Sequence, residues 1–125
     1  MAGRSNRRKL QEAQITVGST AASGTTGASG NAASFDFVTY YINLTTLTAG
    51  SITFVIQTSF DGTNWADLAT AEMTGDTGAV AATGVKHVSS NAPIGWSCRL
   101  KYTIVTGPAA FTVDPVFSKG GSVFG

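Results

Sequence analysis

The stretch SITFVIQTSFDGTNWADL, residues 51–68, constrains this chain more than any other. Ile52, Phe54, Ile56 and Thr58 share one face of a period-2 pattern, and Ser51, Thr53, Val55 and Gln57 share the other. Successive side chains of a strand point to opposite faces, so this is a half-buried strand. Asp61-Gly62 then offers the positive φ that a tight hairpin needs, and a return bearing Trp65 and Leu68 follows. The pattern describes a rigid antiparallel scaffold rather than a catalytic centre.

The same alternation recurs along the chain. Val38, Tyr40, Ile42 and Leu44 form one apolar face in residues 36–44, and Cys98, Leu100, Tyr102 and Ile104 form another in 97–105. Phe111, Val113 and Phe117 line a last strand in 110–117, where Pro115 marks an edge or a bulge. Shorter strands are expected at 72–74 and 85–88, with the Gly/Ala/Thr-rich stretch 69–84 otherwise a loop, and Gly107-Pro108 breaks the chain between its last two strands. Six or seven strands at this spacing, with no convincing helix, predict an all-β fold, an antiparallel β-sandwich of jelly-roll or Ig-like type. The expected organisation is an extended N-terminal arm over 1–34, a sandwich domain over 35–118 and a C-terminal tail over 119–125. Seven Phe, two Trp and three Tyr give so small a body enough apolar volume for a core.

Charge is sparse and uneven. Only 12% of residues are Asp, Glu, Lys or Arg, about half the usual share, and a weakly charged surface suits burial against neighbours. Arg4, Arg7, Arg8 and Lys9 crowd into the first nine residues, leaving four basic side chains against seven acidic ones elsewhere. Residues 14–18, including Gln14, Ile15, Thr16 and Val17, could pair as a short strand, whereas residues 19–34 read as a low-complexity linker of small side chains. The basic end suits an acidic protein surface; nucleic acid contact is not expected from so short a run without interleaved aromatics. No apolar run is long enough to span a membrane, and the basic N-terminus lacks the apolar stretch of a secretory signal.

Residues that carry chemistry are scattered. Cys98 is the sole cysteine, which excludes an intrachain disulfide and suits a buried, inert thiol. His87 is the sole histidine, and a triad with Ser89 or Ser90 has no supporting motif. The acids occur singly, with Asp61 explained by its turn and Asp67 by the polar exit from it, and no phosphate-binding glycine motif occurs. No catalytic residue, cofactor or metal site is therefore expected. Trp65 and Trp96 are the possible surface aromatics, able to stack on a sugar if exposed and otherwise packed over the sheet.

The segment FVIQTSFDGTNWADLA, followed after a loop by IGWSCRLKYTIVTGPAAFTVDPVFS, resembles the small β-sandwich structural proteins of tailed bacteriophage particles. In these a strand ending in Q-T-S-x-D-G-T-N-W precedes an R-x-x-Y-x-V strand; here residues 57–65 carry the first and residues 99–105 the second, with Ile104 where the pattern has Val and Val105 following it. The resemblance covers about residues 36–118 and implies a virion protein without enzymatic activity. Among such roles a capsid decoration, or cement, protein is favoured. Its partners would be the major capsid protein and copies of itself, met through the arm, with Arg4, Arg7, Arg8 and Lys9 giving charge complementarity and residues 14–17 adding a strand. Location on the capsid surface is favoured over the tail; a tail, neck or fibre-base component and a carbohydrate-binding module are the alternatives.

Overall fold

The computed structural model describes residues 9–119. Among the described residues ten strands form two antiparallel sheets packed face to face. They are β1 (Lys9–Gln11), β2 (Ile15–Thr20), β3 (Gly24–Thr25), β4 (Phe37–Leu47), β5 (Gly50–Ser59), β6 (Ala66–Asp67), β7 (Met73–Gly75), β8 (Gly84–Ser90), β9 (Ser97–Thr106) and β10 (Ala109–Ser118). Short 3-10 turns lie at Gly30–Ser34 and Thr70–Glu72. The first sheet runs β10-β4-β8-β7, with β1 and β2 one after the other along the outer edge of β10; the second runs β3-β9-β5-β6.

Apart from β1 and β7 the strands pair as nested partners: β2 with β10, β3 with β9, β4 with β8 and β5 with β6. That is one long hairpin with its tip at the loop after β5. Rolling it up lays β10 on β4 and β9 on β5, which gives the strand order of a jelly roll. The expected sandwich is present, and of its two forms it is the jelly roll.

The expected inner faces are the buried ones. Val38, Tyr40, Ile42 and Leu44 of β4, with Phe111, Val113 and Phe117 of β10, meet Ile52, Phe54 and Ile56 of β5 and Cys98, Leu100 and Ile104 of β9. Tyr40 and Cys98 reach across from opposite sheets, hydroxyl to thiol at 3.2 Å. Burial pushes the Cys98 thiol up to about 11 and holds the Tyr40 phenol well above its ordinary value. Both therefore stay neutral inside the core. The short strand expected near 72–74 is present as β7 and pairs with β8, and in the expected loop Val80 exchanges two backbone hydrogen bonds with Ile52, covering the side of β5 that β6 is too short to reach.

The N-terminal segment corrects the expected organisation. From Lys9 onward it does not leave the body as an extended arm; it supplies the first strands of the roll. Gln11 faces Val116 and Ile15 faces Val113, so Glu12, Ala13 and Gln14 lie opposite only Asp114 and Pro115. This is a β-bulge, and its position follows from Pro115. The Pro115 carbonyl accepts from the Glu12 amide at 3.0 Å, so this residue presents its backbone toward the arm, where it has no N–H to give. Ile15 and Val17 are half-buried against the core. The small residues that follow cross to the second sheet and serve β9. The Ser23 and Thr26 hydroxyls accept from the Ile104 and Leu100 amides at 2.8 and 3.0 Å, and Ser29 exchanges backbone bonds with Cys98. Short hydroxyl side chains bond to neighbouring backbone more readily than long ones. A low-complexity stretch thereby completes the edge of a sheet.

Candidate binding surfaces

Polar side chains on the outer face of the second sheet are engaged with one another. Gln57 and Arg99 are directly opposite in the β5–β9 register, and Gln57 and Asp67 in the β5–β6 register. Arg99 Nε donates to Gln57 Oε1 at 2.7 Å, Gln57 Nε2 donates to Asp67 Oδ1 at 2.8 Å, and Lys101 Nζ reaches Asp67 Oδ2 at 2.6 Å. The Arg99 guanidinium sits 4.1 Å above the centre of the Trp65 ring, a cation–π contact. Trp65 is thus half-buried beneath an arginine and is not an open platform.

The loop beyond β5 is held from within. Gly62 adopts φ +76°, as the turn requires. The Asp61 carboxylate accepts from the Thr63 and Asn64 amides, from Asn64 Nδ2 and from the Ser59 hydroxyl at 2.8–3.0 Å. These donors hold Asp61 well below the usual carboxylate range, and Lys101 and then Gln57 lower Asp67 in the same sense. A carboxylate depressed in the folded state stabilises the protein above its unfolded value of about 3.9 and loses that contribution as pH falls toward the folded value. Urea midpoints are therefore expected to be flat from pH 7 to about 5 and to fall below about pH 4. Asp67→Asn should give a visibly shallower fall between pH 5 and 3 than the parent chain; an identical profile would show that Lys101 and Gln57 do not set this dependence.

At this tip two aromatic side chains stand in solvent: Phe60 is 73% exposed and Trp96 66%. Of the possible surface aromatics, Trp96 is the open one. Phe60 escaped sequence reasoning because an apolar residue between a strand and a turn looks like the last core position of the strand. The signal lay in the register: Thr58 already ends the inner row, and Phe60 lies two residues past it.

The outer face of the first sheet carries His87. Its ring lies 6.3 Å from that of Tyr41, and Nδ1 is 4.0 Å from Asp76. The serines a triad would need are committed elsewhere, Ser89 to the Thr39 hydroxyl and Ser90 to the Val38 amide. Among the described residues no group of three or more His, Cys, Asp or Glu is placed to hold a metal ion, and no helix is long and apolar enough to cross a membrane.

Of the expected arm contacts, Arg4, Arg7 and Arg8 lie outside the described residues. Lys9 opens β1, the Gln14 amide donates to the Asp114 carboxylate at 3.2 Å, and Ile15, Thr16 and Val17 lie in β2. No family model, curated protein or solved structure matches this chain. What the surface offers must be read from its own geometry. Three of the four sheet edges are short: β3 and β6 have two residues each and β7 has three. The fourth is formed by β1 and the six-residue β2, the longest edge strand in the described chain. Short edge strands are a common protection against unwanted pairing, and here one edge lacks it.

Proposed function

We propose that this chain is a non-enzymatic structural protein of a bacteriophage particle, a decoration protein that binds the capsid surface through its N-terminal segment and associates there with the major capsid protein and with copies of itself. The observation that carries this reading is the β1–β2 edge. Among the described residues it is the one edge long enough for a partner strand to add by main-chain hydrogen bonding, and the basic residues Arg4, Arg7 and Arg8 precede it directly in sequence. The resemblance to phage sandwich proteins supports the same reading, since the two segments that carry it meet through Gln57, Arg99 and Trp65 to form one stiff unit. Jelly rolls occur in viral capsid and lectin domains, which is analogy at the level of fold alone.

Because β1 and β2 belong to the sandwich, removing residues 1–18 would uncover β10, and lost binding would then be ambiguous. Substitutions that spare the β2–β10 ladder are the better test. Pro115 turns its carbonyl toward the arm, so alternation turns Val113 and Phe111 the same way and leaves the Thr16–Thr112 pair without mutual backbone bonds. The Thr16 amide therefore faces away from β10. Thr16→Pro, and separately the quadruple change of Arg4, Arg7, Arg8 and Lys9 to Glu, are each expected to lower binding to decoration-free capsids at least about tenfold, ~1.4 kcal/mol, in co-sedimentation. Melting curves should stay close to that of the parent. Capsid binding that survives both changes overturns the edge as anchor, and binding to tails in place of heads would reassign the chain to a tail, neck or fibre-base role.

A further inference from the structure

The β5–β9 register ends with Ser59 opposite Ser97, so the next cross-strand pair is Phe60 and Trp96. The two backbones are locked where these side chains emerge. The Trp96 amide donates to the Ser59 carbonyl at 3.1 Å, and Gly95 is packed so closely that a Cβ there would stand 3.0 Å from that carbonyl oxygen and 3.6 Å from a Phe60 ring carbon. The neighbouring loop is fixed by its four hydrogen bonds to Asp61. Two large exposed rings are thus carried on neighbouring strand ends, whose backbones stand about 4.8 Å apart, on a base held by these bonds.

Their surroundings select the ligand. Residues 60, 62–66 and 91–97 contain no Lys, Arg, Glu or Asp, and the one acid among them, Asp61, has its carboxylate filled by donors. The negative charge of Asp61 is thus already met by donors of its own loop, which leaves little of it to select a charged partner. Aromatic side chains bury about 150–250 Å² each, so the exposed parts of two offer on the order of 250 Å², well short of the roughly 800 Å² per partner of a specific protein interface. An apolar ligand would make no use of the exposed polar groups of the adjoining loop, the Thr63 hydroxyl and the Asn64 amide oxygen. A ligand with flat C–H faces and neutral hydroxyl edges fits both the rings and the loop.

We propose that Phe60 and Trp96 form a stacking platform for a neutral oligosaccharide chain, with pyranose faces on the two rings and hydroxyls toward Thr63 and Asn64. The site does not depend on where the protein sits in any particle.

The test is titration of the full chain with cellohexaose, chitohexaose, maltohexaose and mannohexaose, followed by tryptophan fluorescence and calorimetry. At least one sugar is expected to give a saturable response. Trp96→Ala should weaken it at least about tenfold, Phe60→Ala should weaken it in the same sense, and Trp65→Phe should leave the affinity unchanged, because that ring lies under Arg99. Trp96 and Phe60 are exposed, so the variants are expected to fold, and far-UV circular dichroism checks this. Failure of all four sugars, or equal affinity in Trp96→Ala, overturns the proposal. So does a concentration-dependent dimer that Trp96→Ala abolishes, since the platform would then belong to a second copy of the chain.

Discussion

Phe111→Ala is expected to lower stability by about 3–5 kcal/mol and the melting temperature by on the order of 20 °C. Phe111 is 1% exposed and hangs from β10 into the opposite sheet. Its ring makes edge contacts with two others, Phe54 of β5 at 5.3 Å and Tyr102 of β9 at 5.1 Å, both at 80°. Such pairs add about 0.5–1.5 kcal/mol beyond the area they bury, and alanine forfeits both while leaving a cavity between two hydrogen-bonded sheets that cannot close independently. Against a total of about 5–15 kcal/mol for a folded domain, the loss brings a body of this size near its unfolding threshold. A thermal melt decides the matter: a fall of less than about 1 kcal/mol would mean that the two sheets close over the gap.

Gly50→Ala is expected to be nearly as damaging, for a reason of backbone geometry. Gly50 opens β5 with φ +76° and faces Thr106, itself at φ 74°. A Cβ there would overlap the Val105 carbonyl oxygen and stand 2.8 Å from the Thr106 Cβ. The left-handed conformation costs about 1–2 kcal/mol for a residue with a side chain. The overlap adds to it, because a carbonyl inside a strand cannot swing aside as a side-chain tip can. A total of about 3 kcal/mol or more is expected, read as a lower urea midpoint. Gly18→Ala is the control: nothing lies within 4 Å of its Cβ position, and the change should be neutral or gain up to about 1 kcal/mol. Equal effects at the two positions would refute the geometric account.

The parts of this fold that were legible in the sequence are those where side chains choose the register. In β4, β5, β9 and β10 an apolar face repeats every second residue, and slipping by one residue would expose it. β1 and β3 carry no such pattern. Lys9, Leu10 and Gln11 are exposed, and Gly24 and Thr25 have little to bury, so these strands exist because β10 and β9 present backbone groups to be paired. Residues 19–34 read as a linker in the sequence for the same reason: small hydroxyl side chains signal flexibility in isolation, and only a neighbouring strand turns Ser23 and Thr26 into acceptors for its amides. At the candidate surfaces the sequence identified both tryptophans but could not rank them. Trp65 is closed by Arg99, a residue far away in sequence and brought close by the β5–β9 register.

The nesting of the strands also bears on when this chain can fold during its synthesis. β10 is made after every other described strand, yet it lies between β4 and the β1–β2 edge in the middle of its sheet. Until it emerges, β2 has no partner and Val38, Tyr40, Ile42 and Leu44 lack one flank of their cover. The other sheet waits almost as long, since β3 and β5 both pair with β9. Pairings this distant in sequence make for slow folding. The two sheets therefore close late and together, once β9 and β10 are both available, and until then the apolar faces of β4 and β5 stay open to misassociation.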